Sequence, residues 1–270
     1  MTQFANKKVL VTGAASGIGK LMVEMIAARG AHVIMWDLDP SALQSMMITL
    51  RERGYKVSGY HCDVSDRRMV NETAKLVLQE CGSVDLLINN AGVVNGKLLL
   101  ELTDEQIERT FNINTLSLFW TTRAFLPAMI AQERGHIVTI ASAAGLCGTP
   151  RLCDYAASKF AAVGFDESLR LELRHQKIPI RTTIVCPFYF SSGLFAGAKT
   201  RFPRLLPILG PEVVAQRIVR AIEKNQRRLL LPWFIYSVWL IRLLPVPIFD
   251  ALTDFFGISK SMDEFKGRGN

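Results

Sequence analysis

The chain lacks several things that would have placed it quickly. No uncharged apolar run reaches the 18 residues or so that span a bilayer. The opening Met-Thr-Gln-Phe-Ala-Asn-Lys-Lys leaves no room for a signal segment or membrane anchor before the first strand pattern begins. The five cysteines (Cys62, Cys81, Cys147, Cys153, Cys186) are odd in number and show no paired metal spacing, so they read as reduced thiols in a cytoplasmic compartment rather than a disulfide framework. The four histidines (His32, His61, His136, His175) are scattered, and no metal site is expected. There is no internal repeat and no low-complexity segment. A net charge of +8 comes without any nucleic-acid recognition motif, so no nucleic-acid partner is expected.

What the chain has is a core. Of its 270 residues, 49% are hydrophobic. Short apolar, β-branched runs at 8–12, 31–36, 57–62, 86–89, 136–141 and 181–186 alternate with helical patterns, and 229–231 supplies a seventh run. That alternation predicts an α/β fold, a parallel sheet of about seven strands with helices on both faces. The pattern divides the chain into a catalytic domain over 1–231 and a hydrophobic C-terminal extension over 232–270.

Two stretches carry chemistry. Between the first run and its helix lies Gly13-Ala-Ala-Ser16-Gly17-Ile18-Gly19. A strand, a glycine-rich turn and a helix N-terminus together aim free N–H groups at a phosphate. Gly13 serves the tight turn, Gly17 lets the backbone approach a pyrophosphate, and Gly19 lets helix and strand close on each other. Asp37 ends the second run 18 residues after Gly19, near the spacing expected of a carboxylate that accepts ribose hydroxyls. It would repel the extra phosphate of NADP, and neither Ser16 nor Leu38 offers that phosphate a cation, so the expected cofactor is NAD. Further on, Tyr155 and Lys159 stand four apart on one helical face, where the cation favours the phenolate and moves the phenol towards general-base duty. Ser142, upstream at a strand end, can reach the same substrate oxygen.

Taken in order, Thr12-Gly13 to Gly19, Cys62-Asp63-Val64, Asn89-Asn90-Ala91-Gly92, Asn114, Ser142 and Tyr155-Ala-Ala-Ser-Lys159 resemble the short-chain dehydrogenases/reductases over about residues 5–195. The resemblance implies a single Rossmann-type, doubly wound domain. It implies Tyr155 as acid/base, and Lys159 as the residue that lowers its pKa and binds the nicotinamide ribose. Ser142 would orient the substrate oxygen, and Asn114 would anchor a water that relays protons. It gives Asp63 and Val64 the adenine, lines the central cleft with Asn90, Ala91 and Gly92, and brings Pro187 to the cofactor. Where relatives have Pro-Gly, this chain has Pro187-Phe188-Tyr189-Phe190, and the extra rings point to a bulky apolar substrate. Ser191 or Ser192 takes the place of the threonine expected against the carboxamide. Relatives usually pair through the helices bearing Asn114 and Tyr155, here about 104–133 and 155–175, so a homodimer is expected.

The C-terminal part narrows the likeness to a branch resembling membrane-associated retinol dehydrogenases and lipid-droplet hydroxysteroid dehydrogenases. From Lys199 to Arg228, eight basic residues face two acidic ones. The following 229–249 is greasy, with Trp233, Tyr236 and Trp239, and is broken by Pro232, Arg242, Pro245 and Pro247. Aromatics beside arginines suit a membrane interface. The competing expectation is that these side chains cover the substrate pocket, whose loop spans 188–210, or meet a partner subunit. The reading is thus a cytoplasmic, peripherally membrane-associated oxidoreductase that moves hydride between NAD and a lipophilic secondary or allylic alcohol or its carbonyl. Two alternatives remain: a carrier-protein 3-oxoacyl reductase, and an NAD-binding membrane scaffold with little turnover.

Overall fold

A computed structural model describes residues 2–191 and 193–267. Seven parallel strands make one sheet: β1 Lys8–Thr12, β2 His32–Asp37, β3 Val57–His61, β4 Leu86–Asn89, β5 Gly135–Ile140, β6 Ile180–Pro187 and β7 Arg228–Leu231. Their order is β3-β2-β1-β4-β5-β6-β7. Parallel neighbours need crossover connections, and the helices that make them cover both faces. Successive side chains of a strand point to opposite faces, so each strand feeds two cores. Val9 and Val11 pack with Ile18, Met22, Val23 and Ile26 of α1 (Gly17–Ala27) and with Ile218 and Ile222 of α7 (Pro211–Glu223). Leu10, between the two valines, faces the other way, towards Val70 and Val77 of α3 (Arg67–Glu80) and Phe125 and Met129 of α5 (Ser117–Ala131).

The strand order reverses beside β1. The chain goes outward through β2 and β3, then returns to β4 on the opposite side of β1, so a crevice opens at the carboxyl ends there. The first helices start on strong local signals. Asp39 caps α2 (Pro40–Glu52) by accepting from the N–H groups of Ser41 and Ala42, and Asp66 caps α3 in the same way.

The single helix expected over 104–133 is three pieces: α4 (Asp104–Phe111), a π-helical turn over Asn112–Leu116, and α5. Such wide turns gather at functional sites, and Asn114 lies inside this one. The helix bearing Tyr155 is α6 (Cys153–His175). After β7 come a 3-10 turn (Trp233–Ser237), a short α8 (Val238–Ile241) and α9 (Val246–Phe255). No helix among the described residues is long and apolar enough to cross a membrane. The chain then folds back. Lys199 N donates to Ser261 O at 3.0 Å and Lys266 N to Ala196 O at 2.8 Å, so the tail lies across the loop that follows β6.

Candidate active site

The crevice at the sheet's reversal point has a volume of about 620 Å³, within the usual range for ligand sites, roughly 300–1,000 Å³. Gly13, Ser16, Gly17, Ile18 and Gly19 form its floor, with Asp37, Asp63 and Val64 at one end. Asn90, Ala91 and Gly92 line the middle, and Ser142, Tyr155, Lys159 and Pro187 the other end. The cradle is built by what the glycines leave out. Gly13 and Gly17 take left-handed backbone, φ +61° and +53°. A Cβ on Gly19 would lie 2.0 Å from Gly13 O and 2.6 Å from Asn90 Nδ2. The first N–H groups of α1 have no partner within the helix and face the crevice behind the glycine turn, so they suit an anion. Size, glycine cradle and helix terminus fit a dinucleotide.

Several residues expected to contact such a cofactor are spent on holding the site together. Asp37 accepts from Ala15 N at 2.7 Å and from Asp39 N at 3.0 Å, which shapes the glycine loop from the neighbouring strand. Asn90 Nδ2 donates to Thr12 O at 2.9 Å and Gly13 O at 3.0 Å. Thr12 Oγ1 in turn accepts from the N–H groups of Asn90 and Ala91. Asp63 accepts from both the N–H and the hydroxyl of Ser65.

Asn114 does not line the crevice; it stands behind it. Its Oδ1 accepts from Val93 N at 2.9 Å, and its Nδ2 donates to Val93 O and to Ser158 Oγ, both at 3.0 Å. The side chain therefore fastens the end of β4 to α6. Ser191 is exposed and donates from N to Leu209 O at 2.9 Å; Ser192 lies outside the described residues.

Burial sets the electrostatics of the candidate pair. Tyr155 and Lys159 are both almost wholly buried. Burial pushes the Tyr155 phenol above its ordinary pKa, while the hydrogen bond with Ser142 pulls the other way. Burial lowers Lys159 to about 8. Its Nζ donates to Ile140 O at 2.9 Å and lies 5.7 Å from the centre of the Tyr155 ring. Loss of water dominates the phenol, and the ammonium expected to lower its pKa is held on a backbone carbonyl. Ser142 Oγ accepts from Ala144 N at 3.1 Å and stands at the end of β5.

A second cavity, about 70 Å³, adjoins the crevice. Ser142, Tyr155, Phe188 and Phe195 line both, so they form the shared wall. Beyond it the lining is apolar: Leu206, Phe234, Ile235, Phe249, Leu252 and Phe256 among others. Tyr189 lines it too, bonded to Ser261 Oγ at 3.0 Å, whereas Phe190 lines the crevice and packs into the main core. Of the two readings of the hydrophobic extension, its inner face follows the one that covers this pocket.

Sequence reasoning missed the residues behind the pair. Asp154 is only 4% exposed, and its Oδ2 takes bonds from Asn95 Nδ2 at 2.7 Å and Thr110 Oγ1 at 2.8 Å. The only signal available was the i, i+4 spacing of Thr110 with Asn114 and of Asp154 with Ser158. Met262, buried against Tyr155, Tyr189 and Phe195, had no local signal.

A nucleotide cradle at the switch point, with a buried tyrosine, lysine and serine at its far end, defines a nicotinamide-dependent oxidoreductase site. Residues 7–201 match the short chain dehydrogenase family, and the chain belongs to it. It is an oxidoreductase acting on CH–OH donors. Over 260 residues it is 43% identical to short-chain dehydrogenase/reductase family 16C member 6 of Bos taurus, covering 95% of this chain and 82% of that protein. It is 42% identical over 264 residues to human epidermal retinol dehydrogenase 2, covering 97% and 85%. A short chain dehydrogenase/reductase from Burkholderia phymatum, solved in complex with NAD, superposes with a TM-score of 0.81 at 31% identity, covering 90% of this chain and 95% of that one.

Proposed function

We propose that the protein transfers hydride between NAD and a lipophilic secondary or allylic alcohol, or its carbonyl, at the wall shared by the crevice and the apolar cavity. The single observation that carries this reading is that Ser142 and Tyr155 face both spaces at once. Gly13 to Gly19 would hold the pyrophosphate, Asp37 the adenosine ribose, Asp63 and Val64 the adenine, and Lys159 the nicotinamide ribose. Bound there, the nicotinamide supplies hydride exchange. Tyr155 Oη gives or takes the substrate's hydroxyl proton, Ser142 Oγ fixes the same oxygen, and the Asn114 clamp holds Lys159's helix against the cleft. The apolar rings exclude water from the reacting atoms. Support for a lipophilic substrate comes from that lining and from the retinol dehydrogenase relatives. Support for NAD comes from the Asp37 carboxylate in the cleft and from the NAD-bound relative, although a metagenomic relative, 27% identical and with a TM-score of 0.71, was solved with NADP.

The test is a panel of retinol, hydroxysteroids and medium-chain alcohols with each cofactor. Turnover of the lipophilic members with NAD is expected. A strong preference for NADPH would favour carrier-protein 3-oxoacyl reduction, and silence across the panel a binding scaffold.

The reading includes two associations. A homodimer would cover exposed Phe119 on α5 and Phe160 and Leu171 on α6, and the mass in non-denaturing buffer tests it. Peripheral attachment to a membrane would cover Trp233, Tyr236, Trp239 and Leu240, which stand exposed beside a basic stretch. Burying each large apolar side chain contributes roughly 1.5–3 kcal/mol.

A further inference from the structure

The apolar cavity is too small for the molecules it is lined to receive. Its volume, about 70 Å³, is far below the roughly 300 Å³ at which ligand pockets begin. One wall can give way. Leu252, Thr253 and Phe249 of α9, Ile241 and Val238 of α8, and Phe256 line one side of the cavity and narrow it without sealing it. No residue of α8 or α9 is buried. Their other side is also apolar: Leu243 is 82% exposed and Val246 70%, with Ile248 and Phe255 exposed beside them. A segment that is greasy on both sides and wholly buried on neither is held by partial contacts, chiefly Phe255 and Phe256 against Phe202 and Phe256 against Phe234.

Two arginines fasten it. Arg242, at the end of α8, donates from Nη1 to Leu146 O at 2.6 Å, and its guanidinium lies 5.0 Å from the centre of the Phe160 ring. Arg201 donates from Nη1 to Phe255 O at 3.1 Å, at the carboxyl end of α9. It crosses there because Gly257 takes left-handed backbone (φ +74°), where a Cβ would sit 2.7 Å from Arg201 Cβ. Each fastening is a cation on a neutral carbonyl beside exposed hydrocarbon. A phosphodiester is a better partner for a guanidinium than a carbonyl is, and a bilayer offers hydrocarbon to the outer face at the same place. Arg201 and Arg204 stand exposed on the neighbouring loop, where Lys199 is already paired with Glu264, and with Arg242 they offer anionic headgroups three cations against Asp250 and Asp254 on α9.

We propose that α8 and α9 form a lid over the substrate cavity, latched shut by Arg201 and Arg242, and that an anionic bilayer opens it by drawing both arginines onto lipid phosphates. This rests on the membrane reading given above and adds to it the regulation of the same site. In water the cavity stays narrow. At a membrane it opens towards the phase in which a lipophilic alcohol is dissolved.

Cys147 gives a readout that needs no turnover, because its half-buried thiol lines the narrowed cavity beneath the lid, where a bulky reagent has little room. The full chain is treated with a bulky maleimide, and labelling at Cys147 is followed by peptide mass spectrometry. The reagent is applied in buffer, with neutral phosphatidylcholine vesicles, with vesicles containing phosphatidylglycerol, and with inorganic phosphate. Anionic vesicles should speed labelling about tenfold, the effect of moving the closed–open balance by roughly 1.4 kcal/mol. Phosphatidylcholine carries a phosphodiester too, but its choline offsets that charge, so neutral vesicles, like inorganic phosphate, should leave labelling unchanged. Replacing both latches, Arg201→Gln with Arg242→Gln, should speed labelling in buffer alone. Protein that sediments with anionic vesicles while Cys147 labels at its buffer rate overturns the lid and leaves the membrane reading standing. Protein that ignores the vesicles overturns both. The wild-type arms decide the matter even if the double variant does not fold.

Discussion

Thr110 Oγ1 lies 2.8 Å from Asp154 Oδ2, one helical turn ahead of the 3.0 Å contact between Asn114 and Ser158. The two contacts are rungs of a ladder between α4 with its π-helical turn on one side and α6 on the other. Each rung is also tied to the strand-end loop, through Asn95 and Val93. Tyr155 and Lys159 each follow a rung residue directly in sequence, so the ladder sets the rotation of α6 and turns the reacting pair towards the cleft.

Asp154→Ala should therefore cost more than a surface change. It removes two hydrogen bonds to a buried carboxylate and leaves Asn95 and Thr110 only each other and Gln106 O, a loss of about 1–3 kcal/mol, and it frees α6 to shift. A lower melting temperature together with a lower kcat is expected, with Asp154→Asn in between because it keeps an acceptor oxygen. An unchanged melting temperature for the alanine variant would refute the ladder.

Tyr155→Phe keeps the ring and its edge-on contact with Phe195 at 5.7 Å between centroids, and loses only the hydroxyl. Turnover should fall about 10²–10⁴-fold, the usual contribution of a positioned acid or base. Cofactor affinity, read by fluorescence titration, should stay near wild type. Retained turnover would remove the tyrosine from the mechanism.

Gly19→Ala puts a methyl group where Gly13 O and Asn90 Nδ2 already stand. Overpacking of this kind costs about 1–3 kcal/mol, and relief must come from the turn that cradles the phosphates. Dinucleotide affinity should drop sharply even where the protein still folds. Calorimetric titration with NADH measures it, and wild-type binding would contradict the close approach.

The pH dependence follows from burial. Tyr155 has a raised pKa, so it holds its proton through the neutral range, and the base form that alcohol oxidation needs grows as pH rises. Oxidation should accelerate steadily into the alkaline range while carbonyl reduction, which needs the proton, does not. Initial rates in both directions over the same buffers test this; an oxidation optimum at neutral pH would count against it.

Lys159 makes a separate contribution to stability. Its folded value of about 8 lies below its ordinary 10.5, so between those values the unfolded chain binds more protons and the free energy of unfolding rises with pH. Below about pH 8 the full penalty of the buried charge is present. Denaturant curves for wild type and Lys159→Met should diverge most there and converge towards pH 10.5. Curves that stay parallel across the window would show the lysine to be unshifted.

Much of the fold was legible because its signals are local. Val9-Leu10-Val11 followed by Gly13, Gly17 and Gly19 dictates strand, turn and helix from neighbours in the chain, and the strand expectations missed their ends by a residue or so. The break in the 104–133 helix was not legible. Nothing in Asn112-Ile-Asn-Thr-Leu116 forbids an α-helix, and the wide turn forms where Asn114 must meet both Val93 and Ser158. Asp37 shows the same limit: its spacing marked a carboxylate in the cleft, but its bonds to Ala15 and Asp39 needed the loop in place.

By itself the amino-acid order determined the parallel α/β sheet, the glycine-rich turn before α1 and the choice of a tyrosine, a lysine and a serine as the candidate reacting groups. Those depend on spacings of a few residues, over which backbone geometry is nearly fixed. Only the tertiary structure decided that the phenol's pKa rises, that Asn114 and Asp154 act as clamps, and that the greasy extension roofs a cavity nearly a hundred residues from Ser142 in the chain. Burial and long-range contact are properties of packing, and no local pattern encodes how much water a side chain loses or which distant carbonyl an arginine finds.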